Sequence, residues 1–207
     1  QDRHLTRRLY ASQKHRDEER KQRLEQELVL GIGGVKALDE AGYSPSVYHL
    51  NEGHVAFSIL EVVRQRIQKG GSSFRDALEK STKMIGFTTH TPVPEGNERF
   101  DEQLVREYLI PYLSSFASPA EREHIFSCAR NREDMFDMTK LALLLSHVRN
   151  GVSALHGSVS RRMWGYAWKH HNPSGDGVPI ISITNGVHVP YWQKPALRDL
   201  IQLGGGV

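Results

Sequence analysis

Three times in this chain a short run of strand-prone residues ends abruptly in polar side chains, and a helical pattern takes over at once. The stretches are Ser-Val-Tyr-His-Leu-Asn-Glu-Gly-His over 46–54, Gly-Phe-Thr-Thr-His-Thr-Pro over 86–92 and Ile-Ile-Ser-Ile-Thr-Asn-Gly-Val-His over 180–188. Aromatic and aliphatic residues favour strands at 47–50, 85–89 and 179–184. Asn51 is the expected N-cap of the helix after the first strand, because its side-chain oxygen can accept an orphan amide. Polar groups at the carboxyl end of a strand and the amino end of a helix occupy the place where open α/β sheets bind ligands. The three ends are therefore expected to share one crevice.

Periodicity fills the intervals with helices. Phe57, Leu60, Val63 and Ile67 mark a helix over 55–69, stopped by Gly70-Gly71. Ser73 with Asp76 caps a short helix over 74–83. A helical pattern over 100–116 contains Pro111 and predicts a kink or two pieces. Ser118-Pro119 opens a helix to 129, an apolar stretch over 136–149 reads as a core helix, and Asn150-Gly151 breaks it. Further helices are expected over 152–164 and 195–202. Charges of alternating sign over 17–26 predict an exposed helix laced by i,i+4 pairs. It runs into the apolar segment 28–38, with Gly42 as its C′ glycine. Gly31-Ile-Gly-Gly34 lacks full G-x-G-x-x-G spacing and sits in mid-helix, so close helix-to-sheet packing explains it better than a phosphate loop. The chain reads as a single partial domain over 1–207, in which 1–26 is a charged lead-in helix or insertion. It begins at Gln1 and is expected to be a piece of something longer.

Composition narrows the function classes. The charged and apolar fractions, 25% and 38%, are ordinary for a globular chain. A formal charge of +3 is a thin case for nucleic acid, and the basic residues Arg3, Arg7, Arg8, Lys14 and Arg16 read as a solvated face. The lone Cys128 excludes an internal disulfide and reads as a buried thiol of a reducing compartment. No apolar run reaches the length of a membrane span, and no membrane partner is expected.

His49, Glu52 and His54 invite a zinc reading, but H-x-x-E-G-H matches neither H-E-x-x-H nor H-x-x-E-H, and the strand-to-helix switch turns these side chains apart. No metal is expected; on the residues alone, a cap with a core-packed histidine stays open. There is no G-x-S-x-G elbow and no cysteine-protease signature. What the strand ends offer is Asn, His, Thr and Glu, groups suited to a neutral, hydroxyl-rich ligand.

Seven segments in order resemble the α-glucan (glycogen/maltodextrin/starch) phosphorylase family. They are Leu-Gly-Ile-Gly-Gly-Val-Lys-Ala-Leu over 30–38, Tyr-His-Leu-Asn-Glu-Gly-His-Val-Ala-Phe over 48–57, Phe-Thr-Thr-His-Thr-Pro-Val-Pro-Glu-Gly over 87–96, Phe-Asp-Met-Thr over 136–139, Val-Arg-Asn-Gly-Val-Ser-Ala-Leu-His over 148–156, Ser-Arg-Arg-Met-Trp over 160–164 and Ile-Thr-Asn-Gly-Val-His over 183–188. The details resemble the shorter bacterial and archaeal branch, and residues 11–23 resemble an insertion relative to it. The resemblance implies a helix-rich α/β fold, namely part of the Rossmann-like N-terminal lobe of a two-lobed GT-B glycosyltransferase. It implies a cytoplasmic, retaining transferase that moves a terminal α-1,4-linked glucose to inorganic phosphate, giving glucose 1-phosphate. His90 would present its carbonyl to the transferring glucose, and Asn185 would bond one of its hydroxyls. Glu52 and His54 would line the pocket, and Glu95 would reach toward the glucan. The family's pyridoxal phosphate has no attachment lysine in this sequence, so the chain alone is expected to be inactive. Expected partners are the glucan, phosphate, the second lobe and, as one option, a second copy. The alternative is a non-catalytic carbohydrate-binding or assembly module derived from that lobe.

Overall fold

A computed structural model describes residues 16–168 and 175–203. The basic segment before residue 16, the loop 169–174 and the glycine tail lie outside the described residues. Helix α1 (Arg16–Leu28) passes through a π-helical turn, Val29–Gly33, into α2 (Gly34–Glu40). Strand β1 (Tyr48–Asn51) leads through a 3₁₀ turn, Gly53–Val55, to α3 (Ser58–Gly70) and α4 (Phe74–Thr82). Then come β2 (Ile85–Thr89), β3 (Arg99–Phe100), α5 (Glu102–Leu113), α6 (Pro119–Ala129), β4 (Phe136–Asp137) and α7 (Met138–Leu144). The chain continues with β5 (Val148–Gly151), α8 (Ala154–Trp164), β6 (Ile181–Ser182), α9 (Val189–Trp192) and α10 (Pro195–Leu203).

The main sheet is parallel throughout, in the order β1-β2-β5-β6. β3 and β4 form a separate antiparallel pair. One face of the main sheet carries Leu50, Ile85 and Phe87 into a core shared with Leu60, Val63, Phe136 and Leu141. The opposite face carries His49, Asn51, Val148 and Ile181, all exposed. Parallel sheets are ordinarily covered on both faces; here, among the described residues, one face is clothed.

Most local signals act as expected. Ser73 Oγ accepts from Asp76 N–H at 3.2 Å, Ser118 and Glu121 form a capping box, and Gly71 (φ 61°) ends α3 in the left-handed region. Gly42 (φ 81°) closes α2, where Tyr43 N–H donates to the Leu38 carbonyl.

Five expectations need correction. Asn51 is not the cap: it stays in β1, and Glu52 caps the turn instead. The span 136–149 is not one helix. α7 stops at Leu144, and Val148–Gly151 is a central strand between β2 and β6. Arg149 satisfies carbonyls that this stop leaves without helical partners: its guanidinium donates to Leu143 in the last turn and to Ser146 just beyond α7. Of the two outcomes expected at Pro111, two pieces is overturned: α5 runs as one helix through it; the carbonyl that proline deprives belongs to Glu107, and both residues face water. α1 is not wholly solvated, since Leu24 and Glu27 are buried. Gly31 packs closely, as expected, but against a helix: a Cβ there would lie 2.9 Å from Ser58 N and 3.0 Å from Phe57 Cβ.

Candidate functional site at the carboxyl edge of the sheet

Because all four strands of the main sheet run the same way, their carboxyl ends share one edge. Glu52 leaves β1 with φ 72° and ψ 169°, a conformation rare for any residue with a side chain. Such an outlier persists only where its surroundings hold it. Here its N–H still donates to the Thr88 carbonyl at 2.9 Å, while its carboxylate turns across the end of β2. Oε1 accepts from the His90 N–H and from the hydroxyls of Thr89 (3.4 Å) and Thr91 (3.2 Å). Oε2 accepts from Gly53 N–H at 3.3 Å. The Thr-Thr-His-Thr sequence thus supplies donors to a carboxylate from the neighbouring strand.

Gly53 is buried against the first turn of α7. A Cβ there would stand 2.7 Å from Thr139 Oγ1 and 2.9 Å from Thr139 N. Thr139 Oγ1 donates to Asn97 Oδ1 at 3.0 Å, and Asn97 Nδ2 donates to the Val93 carbonyl at 2.9 Å. This chain of contacts fixes the turn Pro94–Gly96, which presents Glu95 to solvent. Thr139 and Asn97 are positioning residues that sequence reasoning missed. Their signal was their place beside recognised motifs, in Phe-Asp-Met-Thr and after Glu-Gly.

A second relay crosses the exposed face of the sheet. Thr88 Oγ1 donates to Asn150 Oδ1 at 2.8 Å. Its one hydrogen is thereby used, so His49 Nε2, also at 2.8 Å, acts as a donor to it. His49 is thus engaged with β2 and turned away from a shared ligand set with Glu52 and His54. Among the described residues no group of three or more His, Cys, Asp or Glu is placed to hold a metal ion.

At β5 the strand comes so close to α8 that a Cβ on Gly151 would meet Gly157 N at 2.9 Å. His156 Nδ1 accepts from Val152 N–H at 3.1 Å, leaving the proton on Nε2, which faces Ser160 Oγ at 3.4 Å. Beyond β6, Asn185 N–H donates to the Val152 carbonyl at 3.1 Å, so its exposed side chain stands on the same edge.

The predicted residues are therefore placed unequally. Glu52 and His90 are in direct contact. His54 comes one turn on, half-buried, and burial together with nearby Arg23 lowers its pKa, favouring the neutral imidazole. Glu95 stands on the adjacent turn. Asn185 has no hydrogen bond to these residues; two strand spacings, about 10 Å, separate β6, the strand it follows, from β2. Cys128 is half-buried on α6, away from this edge, and burial pushes its thiol pKa up.

A helix-rich α/β fold whose parallel sheet gathers hydrogen-bonding side chains on its carboxyl edge is of the broad class in which that edge is where ligands bind. The particular family emerges from comparison with known proteins. The family described as carbohydrate phosphorylase matches residues 2–203, and this chain belongs to it. It is 38% identical over 213 residues to a glycogen phosphorylase of Mycobacterium tuberculosis, covering 98% of this chain and 23% of that protein. Over 179 residues it is 35% identical to a maltodextrin phosphorylase of Thermococcus litoralis, covering 86% of this chain and 21% of the relative. A glycogen phosphorylase of Aquifex aeolicus is 30% identical over 183 residues, with 87% and 25% coverage. The chain thus spans about a quarter of the length of these relatives. None of its described helices is long and apolar enough to cross a membrane.

Proposed function

We propose that the chain contributes the glucose-facing edge of the N-terminal lobe of an α-glucan phosphorylase, a two-lobed enzyme of the GT-B architecture that works in the cytoplasm. The reaction cleaves a terminal α-1,4-glucosidic bond and joins the anomeric carbon to an oxygen of inorganic phosphate, giving glucose 1-phosphate with retained configuration. The observation that supports this reading best is the Glu52 carboxylate locked across the end of β2 on the His90 amide.

That lock fixes the backbone at His90, and a fixed carbonyl is what can be aimed at charge developing on an anomeric carbon. Preset dipoles cost no reorganisation when an oxocarbenium-like transition state forms. His90 offers that carbonyl and its ring; Glu52 and His54 line the pocket; Asn185 holds a glucose hydroxyl from the far side; Glu95 meets the glucan. A ligand in contact with both His90 and Asn185 must fill the space between β2 and β6. The glucan, phosphate and the second lobe are the partners, with pairing of two copies as a further option.

Pyridoxal phosphate, the family cofactor, would supply proton transfer through its phosphate group. Among the described residues its attachment does not fit this edge. Lys140, the buried lysine, donates instead to the Ser127 and Arg130 carbonyls. No step here is routed through the cofactor. The chain incubated with maltooligosaccharide and phosphate should release no glucose 1-phosphate above blank; release at rates of an intact phosphorylase would overturn the reading. Saccharide binding by the chain alone that Glu52→Ala abolishes would favour the carbohydrate-binding module instead.

A further inference from the structure

On the amino edge of the same sheet, opposite Glu52 and His90, lies a cavity of about 280 Å³. It is bounded by Tyr48 at the start of β1, Met84 just before β2, and the carboxyl ends of α2 and α3. Its size falls just below the range of small-ligand sites, about 300–1,000 Å³. Two tyrosines line it, Tyr43 exposed and Tyr48 half-buried. Asp39, Arg66 and Lys69 supply the charges.

Arg66 is the anomaly. Its Nε is buried with no hydrogen-bond partner, and Nη2 donates to the Met84 sulfur at 2.8 Å. A thioether is a weak acceptor for a guanidinium. A buried donor left unpaired is costly, and in native proteins such a group calls for an explanation by water, ion or ligand. An oxygen acceptor in the cavity would give the Arg66 guanidinium the partner that Met84 does not.

Charge decides which kind. Lys69 is ion-paired with Asp39. α2 and α3 both bring their carboxyl ends here, each carrying roughly half a negative charge. Arg66 is offset by these helix ends, so the site as a whole is close to neutral and gives a phosphate little net attraction. Tyrosine faces provide apolar platforms, while guanidinium, ammonium, carboxylate and phenol provide donors and acceptors around them.

We propose that this cavity is a second saccharide site, separate from the carboxyl edge, which takes one or two sugar units of a neutral oligosaccharide. The ring lies against Tyr43 and Tyr48, and a hydroxyl or ring oxygen accepts from Arg66. The site does not depend on the reading of Glu52 and His90.

The Arg66 Nε–H gives a side-chain resonance that tests this directly. Maltotriose and inorganic phosphate are titrated separately into the chain followed by ¹H–¹⁵N NMR, with Arg66→Lys assigning the peak. Maltotriose should move the Arg66 Nε peak together with the Tyr43 and Lys69 amides. Loss of the guanidinium contact in Arg66→Ala should weaken binding about tenfold, and Tyr43→Ala, at an exposed position, should weaken it without unfolding the chain. Glu52→Ala should leave this binding intact, which separates it from the carboxyl-edge site. Peak movements produced by phosphate and not by maltotriose would overturn the proposal. So would an unmoved Arg66 peak at tens of millimolar maltotriose, or movements confined to the Glu52–His90 edge.

Discussion

Glu27 should make this fold weaken as pH rises from 5 to 8, and Glu27→Gln should remove most of that weakening. The side chain is 1% exposed on α1. Arg23 Nε stands 3.1 Å from its Oε1 but gives its single N–H to Glu98 Oε1 at 2.9 Å. Both Glu27 oxygens are thus left without a hydrogen-bond partner. Burial, with the Glu98 carboxylate second, pushes the carboxyl from 4.5 up to about 8. The folded chain therefore holds a proton at neutral pH that the unfolded chain releases. Stability from this group is fully present below the unfolded value of 4.5 and is lost as pH climbs toward about 8. Each tenfold gain in proton affinity on folding corresponds to about 1.4 kcal/mol, so the loss is on the order of 5 kcal/mol. That is comparable to the whole stability of many domains, roughly 5–15 kcal/mol. Glutamine keeps the shape and carries no proton to lose. Burial likewise raises the Asp137 pKa, to about 6, but that contribution is common to both proteins and cancels in their difference. Urea unfolding followed by tryptophan fluorescence at several pH values should show the wild-type midpoint falling faster than that of Glu27→Gln. The gap should widen up to about pH 8 and then level off. Parallel curves would refute the reasoning, because they would mean Glu27 is ionised in the fold.

Two further expectations concern the carboxyl edge. Gly53→Ala forces a methyl into Thr139 and should cost about 1–3 kcal/mol, whereas Gly34→Ala, with nothing within 4 Å, should gain roughly 0.5–1 kcal/mol of helix stability; thermal melts of the pair decide it. Glu52→Ala leaves the His90 amide and two threonine hydroxyls without their acceptor and should cost on the order of 1–3 kcal/mol. Amide hydrogen exchange at His90 should speed up in that variant, and unchanged protection there would show that the carboxylate does not hold the strand end.

How much of this was legible in the sequence depends on the range of the forces involved. Caps and stops such as Ser73, the Ser118 box, Gly42 and Gly71 act within a few residues and are readable directly. β5 was hidden because Asn150-Gly151 carries a turn signal locally, and only ladders with β2 and β6 on either side make it a strand. The edge itself was readable as three polar strand ends. That Glu52, and not Asn51, does the capping was not, because the choice depends on donors 37 to 39 residues away, at Thr89, His90 and Thr91. The relay through Thr139 and Asn97 is likewise a contact across 42 positions. The cavity beside Arg66 depends on two helix ends meeting, which no local pattern records.

The π-helical turn at Val29–Gly33 sets the phase between the two halves of the opening helical segment. Each helical residue advances the chain by about 100° around its axis. A wide turn, with bonds from i to i+5, takes about one residue more than an ordinary turn, so deleting one residue there restores ordinary winding and leaves α1 and α2 nearly in phase. The same deletion in α1 itself, at Leu28, would swing Leu24 and Glu27 out of the interior by about 100°, so the turn is where this segment tolerates a change of length.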